Sequence, residues 1–243
     1  HYPLRRQRQM CIRDRFIYNV LSATKFVNDI NKKQGHKFDV ACVHDWLSSI
    51  AGIITKNELK MPLIFHVHST EWGRSGGTGS SVVSHLEKET AQIADHIITV
   101  SHAMQEDLIR HGWPASKISV VWNGVDPQQY NPTKCKQEDI EKLRNKYRID
   151  ADGQMLLFLG RLTWVKGVRN LVQAMPLILK EYPKTKLVIL GKGEQQNDII
   201  ELANRLGIAN NVACCFEFVP EEERILHYAA SDICVFPSTY EPF

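Results

Sequence analysis

Short apolar runs alternate with helix-length amphipathic segments along most of the chain, and this alternation most narrows its possible folds. DVACVH (Asp39–His44), MPLIFHVH (61–68), HIITVS (96–101) and ISVVW (Ile118–Trp122) read as strands. Helical spacing joins them at 46–56, 82–94 and 102–111. An earlier helix covers Phe16–Lys33, where Ile17, Val20, Leu21, Phe26, Val27 and Ile30 recur at three and four. Ser101 can cap the helix it precedes, and Asp45 the helix that opens at Trp46. The pattern lapses between Asn123 and Gly153, where Pro127, Asn131, Pro132 and a charged stretch through Arg148 read as a linker carrying a polar, solvated helix. It restarts with strands at 155–159, 186–190, 211–218 and 233–236, and with helices at 168–181, 197–206 and 221–230. Repeats of this length are parallel βα units, so the expected class is α/β with doubly wound parallel sheets. Two domains follow: 16–126 and 153–243, joined by a linker at 127–152, with a ligand cleft expected between them.

Composition excludes several function classes. The 243 residues are 43% hydrophobic and 23% charged, the profile of a globular protein. No apolar run approaches the roughly 18 residues of a membrane span. Of the net charge of +3, residues 1–15 hold five arginines against one aspartate, leaving the remainder slightly acidic. A nucleic-acid partner is therefore not expected. HYPLRRQRQMCIRDR shows no periodicity and is too polar for a secretory signal; it reads as a non-native or disordered segment, the alternative being a native basic arm. The cysteines lack CxxC spacing, and adjacent Cys214 and Cys215 point to opposite strand faces, as expected for buried thiols in a reducing cytoplasm.

The chemistry concentrates at the second domain's strand ends. In FLGRLTWVKG (Phe158–Gly167) an apolar run ends at Gly160 and delivers Arg161 and Lys166 just before a helix N-terminus. In PSTYEPF another strand delivers Glu241. Two cations and a carboxylate at carboxyl ends of strands make a ligand crevice.

With VHDW (Val43–Trp46), FHVHSTE (Phe65–Glu71), ADHIITVS, VVWNGVD, LVILGKGE (Leu187–Glu194) and SDICVFPSTYEPF, these segments resemble, in order and spacing, the retaining glycosyltransferases of GT-B architecture, family 4 type, close to glycogen and starch synthases. The resemblance runs from about residue 38 to the end and implies two Rossmann-like domains, both incomplete here. Arg161 and Lys166 would hold the diphosphate of a nucleotide-sugar donor, with no metal or other cofactor. Glu241 would match the first glutamate of an E-x7-E signature and orient donor-sugar hydroxyls; the second would fall at 249. His68 would face the sugar. Asp45 and Trp46 would lie near the carbohydrate acceptor, with Asn123, Gly191 and Gly193 as further substrate-binding positions. The implied setting is cytoplasmic. A fragment of this kind is expected to be inactive alone.

Some residues depart from that pattern or admit other readings. Glu217 stands where the family commonly has glycine, which puts the nucleobase contact in question, and Arg169 replaces a frequent aspartate and is expected to face water. HSTEWGR would also suit a sucrose-phosphate-synthase-like enzyme with a sugar-phosphate acceptor. A module that binds nucleotide sugar without turnover is a reading of another class. His66 and His68 share a strand face, and with His44 and Asp45 they could hold a metal in the manner of a hydrolase; packed core is the favoured role of His66. Asp150-Ala-Asp152 reads as a turn, and the glycine-rich stretch 73–81 as a mobile acceptor-side loop with Glu71 and Arg74 at its base.

Overall fold

The expected alternation appears in the computed structural model, which describes residues 2–243, with side chains from residue 12. The side chains of Arg5, Arg6, Arg8 and Cys11, central to the reading of the basic segment and of the thiol nearest the N-terminus, lie outside the described residues. Helix α1 (Tyr2–Thr24) widens into a π-helical stretch at Lys25–Lys33. It thus starts well before Phe16, where the apolar spacing begins.

The chain divides into two units, one made of the residues up to Gly124 together with Pro242–Phe243, the other spanning Val125–Glu241. In the first, β1 (Ala41–His44), α2 (Ser49–Leu59), β2 (Leu63–Val67), α3 (Glu71–Ser75), α4 (Ser81–Ile93), β3 (His96–Thr99), α5 (His102–Arg110) and β4 (Ile118–Val120) build a parallel sheet in the order β1-β2-β3-β4. Among the described residues this sheet winds in one direction only. Leu63, Phe65 and Val67 point to one face and pack with Val43, Ile97, Leu108 and Trp113, as the two-residue period of a strand requires. Ser101 caps α5 as expected, its hydroxyl accepting the Met104 N–H.

The second unit begins with α6 (Gln137–Lys146) and continues through β5 (Met155–Leu159), α7 (Val168–Glu181), β6 (Lys186–Leu190), α8 (Gln196–Arg205), β7 (Val212–Cys215), α9 (Glu221–Ala230) and β8 (Ile233–Cys234). Its strands lie in the order β7-β6-β5-β8, all parallel, so the winding reverses at β5. Both faces are covered, which explains the continuous apolar runs. Leu156, Phe158, Leu187 and Ile189 enter one core with Val172 and Met175, while Met155, Leu157, Val188 and Leu190 enter the other with Val219 and Ala230. Cys214 and Cys215 divide between these cores as expected.

The stretch 127–152, read as a linker, corrects that reading in part. Helix α6 packs on α9, with Leu143 and Ile149 buried in the second core beside Ile140 and Tyr147. Arg144 clamps the junction by donating to Ala230 O (2.8 Å), Gly153 O (2.6 Å) and Asp232 (3.1 Å). The charged residues drew attention from an apolar set at 140, 143 and 147 that has helical spacing. Asp150-Ala-Asp152 is a turn, with Asp152 paired to Lys184.

Leu143→Ala separates a linker from a structural helix. A buried leucine lost from the core costs about 2–5 kcal/mol, whereas a linker position stays within about 0.5 kcal/mol. Urea unfolding should give the larger value.

Candidate active site

Three strand ends of the second unit converge through their backbones. Gly160 N–H donates to Leu190 O (3.0 Å), Leu162 N–H to Lys192 O (2.8 Å) and Gln195 N–H to Leu162 O (3.1 Å). The approach leaves no room for side chains: a Cβ on Gly191 would lie 1.8 Å from Gly160 O, and one on Gly193 2.2 Å from Leu162 O. Backbone packing therefore requires these two glycines, whatever else they touch. Gly167 has φ +65°, and a Cβ there would lie 1.9 Å from Pro237 O. Thr239 N–H donates to Val165 O (2.8 Å), strapping the segment after β8 to the Arg161 loop.

That strap brings Lys166 Nζ to Glu241 Oε2 at 2.5 Å, so two of the expected site residues meet directly. Arg161 is exposed and lines a cavity of about 430 Å³ with Gly160, Gly191, Lys192, Glu217 and Arg224. Lys166 and Glu241 are not among its lining residues. Helix α7 opens at Gly167 without a side-chain cap, so its first-turn amides are the ordinary unpaired donors of a helix start.

The sequence reading missed Arg224. It lies in the first turn of α9, and its Nε is buried without a hydrogen-bond partner. The available signal was its place on a helix following a strand's carboxyl end, masked by the run of three glutamates. Arg169, expected to face water, is partly exposed and pairs at the surface with Asp198 (2.6 Å) at the start of α8. Glu217 stands in the cavity wall.

In the first unit, register places His44 beside His66, and β2 delivers His68 just past its end. Asp45 follows β1 with φ +51° and ψ −173°, a conformation strained for any residue but glycine. It makes no helix cap, contrary to the sequence expectation. Its Oδ1 accepts the N–H of His68 (2.7 Å) and of Ser69 (3.2 Å), so the strained turn fixes the backbone that carries His68. Trp46 is half-buried in the 3-10 turn that follows, and Asn123 is exposed beyond β4. His44 Nδ1 lies 2.9 Å from His68 Nε2, and the His66 and His68 rings stack at 4.2 Å. Burial, then neighbouring His68 and His44, holds the His66 imidazole below its usual range.

The glycine-rich loop beyond His68 is anchored at its base. Thr70 caps α3, Glu71 Oε1 accepts Ser80 N–H (2.8 Å), and both Glu87 oxygens accept Glu71 N–H (3.0 and 3.1 Å). Arg74 lies 3.4 Å from Glu87 and 3.6 Å from Glu71. Burial dominates the Glu87 carboxyl, pushing its pKa from 4.5 up to about 7 despite the Glu71 amide and Arg74.

Comparison with known proteins matches residues 2–129 to the model of Glycosyltransferase Family 4, and residues 139–243 to that of Glycosyl transferases group 1. The chain belongs to glycosyltransferase family 4. This glycosyltransferase is 33% identical over 223 residues to an uncharacterized glycosyltransferase of Methanocaldococcus jannaschii, covering 88% of this chain and 56% of the relative. It is 30% identical over 215 residues to a glycogen synthase of Mycobacterium tuberculosis, covering 84% and 48%. The chain thus spans about half the length of the curated relatives it matches. Among solved structures, Anabaena HepE in complex with UDP-glucose superposes with a TM-score of 0.74 at 25% identity, over 91% of this chain and 58% of that one. The sucrose-phosphate synthase of Thermosynechococcus elongatus gives 0.74 at 22% identity, covering 91% and 56%. Both belong with the GT-B architecture that the strand order expresses. No helix among the described residues is long and apolar enough to cross a membrane.

Glu87 gives the glycosyltransferase a testable pH dependence. A carboxyl whose folded pKa exceeds its unfolded value binds more protons when folded, so its ionisation costs stability as pH rises from about 4.5 to about 7 and adds no slope above that. The cost approaches about 3 kcal/mol. Glu87→Gln keeps an acceptor for the Glu71 amide and should flatten this part of a urea-midpoint profile; a profile parallel to wild type would assign the slope elsewhere.

Proposed function

We propose that this glycosyltransferase moves a hexosyl group, glucose in the first instance, from a nucleoside-diphosphate sugar to a carbohydrate hydroxyl with retention of configuration. The observation that carries the reading is the Lys166–Glu241 pair strapped to the loop of Arg161, next to a cavity that also holds Arg224. As the glycosidic bond breaks, the departing diphosphate gains negative charge. Arg161 and Lys166 meet that charge as fixed cations, and the uncapped start of α7 adds to them. This assigns diphosphate stabilisation to side chains without a metal. Glu241, held near the ammonium, takes donor-sugar hydroxyls, and His68 keeps the sugar-contacting role that the resemblance implies. Departure and attack on one face of the sugar need no enzyme nucleophile.

The names of relatives support a glucosyl donor, glycogen synthase among them, as does the UDP-glucose in the HepE complex. Asp45, given above as an acceptor-side residue, acts in this reading by positioning His68. A sugar-phosphate acceptor is less favoured, because Arg74, the cation of HSTEWGR, already serves Glu71, Glu87 and the Ser69 hydroxyl. A cytoplasmic setting, expected from the resemblance, belongs to the same reading.

In a protein that carries the complete catalytic machinery, Arg161→Ala and Lys166→Ala should each lower kcat for transfer from a nucleotide glucose by about 10²–10³-fold. Circular dichroism should stay unchanged. Near-normal turnover in both variants would remove the phosphate-seat reading.

A further inference from the structure

The proposed transfer uses His68 and leaves its two ring neighbours without a task. His44, His66 and His68 form a cluster whose candidate ligand atoms all lie within 4.8 Å of one another. Two facts set it apart from ordinary core packing. His44 Nδ1 and His68 Nε2 face each other at 2.9 Å, so one must carry a proton and the other a lone pair. His66 Nε2 is buried and has no hydrogen-bond partner, a costly state for a polar atom.

We propose that these three imidazoles form a binding site for a divalent transition-metal ion of the zinc type. Imidazole is a favoured ligand for such ions, and a tetrahedral site with Zn–N bonds of about 2.0–2.1 Å sets its nitrogens about 3.3 Å apart. That spacing falls between the 2.9 Å of the closest pair and the 4.8 Å limit of the trio, so side-chain adjustment alone reaches it. Strand register fixes His44 beside His66, and Asp45 holds the His68 backbone by two hydrogen bonds, so the ligands are largely preorganised. Coordination uses neutral rings: the proton between His44 and His68 shifts to the other nitrogen of its own ring, and no net proton is released. For His44 that other nitrogen, Nε2, lies 3.9 Å from Cys42 Sγ.

Three protein ligands leave a fourth position for water. The site is not assigned hydrolase chemistry, since Asp45 Oδ1 already serves two backbone amides. His68 is shared with the proposed transfer, but metal binding is read directly, so its failure is distinguishable from failure of the transferase reading.

The chelator-treated chain is dialysed against buffered Zn²⁺ and assayed by elemental analysis, with Co²⁺ absorption as a second reading of tetrahedral coordination. One equivalent should bind to wild type. His44→Ala and His66→Phe should each weaken binding by at least about tenfold, and His85→Ala, on the exposed side of α4, should not. His44 is exposed, so its variant decides the matter if His66→Phe does not fold. Absence of stoichiometric metal from wild type, or its undiminished retention by His44→Ala, overturns the proposal.

Discussion

Backbone contact at the end of β5 determines where everything in the second unit can stand. β5 pairs with β6 on one side and β8 on the other, so the loops leaving all three strands emerge together at the point where the winding reverses. They come so close that Gly191 meets Gly160 O and Gly167 meets Pro237 O within distances no Cβ tolerates. The result is a set of loops held by main-chain hydrogen bonds, from which Arg161 projects and on which Lys166 and Glu241 meet as a pair. A seat for a charged leaving group needs such rigidity, because electrostatic stabilisation works when the charges do not have to reorganise as the bond breaks.

The first unit achieves comparable positioning by other means. There the functional turn is fixed by buried and strained polar residues rather than by glycine contacts. Asp45 accepts an unfavourable φ to reach the His68 and Ser69 amides. Glu71 and Glu87 spend their oxygens on backbone amides, and Arg74 spans both carboxyls. A buried pair of carboxylates is tolerable only with this degree of satisfaction, and even so desolvation leaves Glu87 with a raised pKa.

Much of this could be read from the sequence, for identifiable reasons. Strands β5 and β6 fall where their apolar runs lie, since a strand buried on both faces writes itself as an unbroken run. The placement of Arg161, Lys166 and Glu241 past strand ends was legible because each follows an apolar run that ends in a loop. Less legible was α6, whose apolar positions are few among many charges, so a docked helix looked like a solvated one. Arg224 lay hidden behind a run of glutamates, and the burial of its Nε without a partner is a tertiary property that no local pattern encodes. The role of Asp45 was also out of reach: N-cap chemistry is a local expectation, while its bonds cross to the next strand's loop.

The contrast between the units bears on how each tolerates change. Where glycine contacts hold the loops, any added side chain forces main-chain displacement, so loss of function and loss of fold travel together. Where side-chain hydrogen bonds do the holding, as at Asp45 and Glu87, an isosteric amide keeps much of the geometry and alters mainly charge. Sensitivity to charge without loss of shape marks a group that positions others electrostatically. The histidine trio lies at the end of that scale, because its three rings are held by strand register and by Asp45 while His66 Nε2 has no hydrogen-bond partner. Polar atoms fixed in place by the fold and left short of partners are the ones on which a ligand can act.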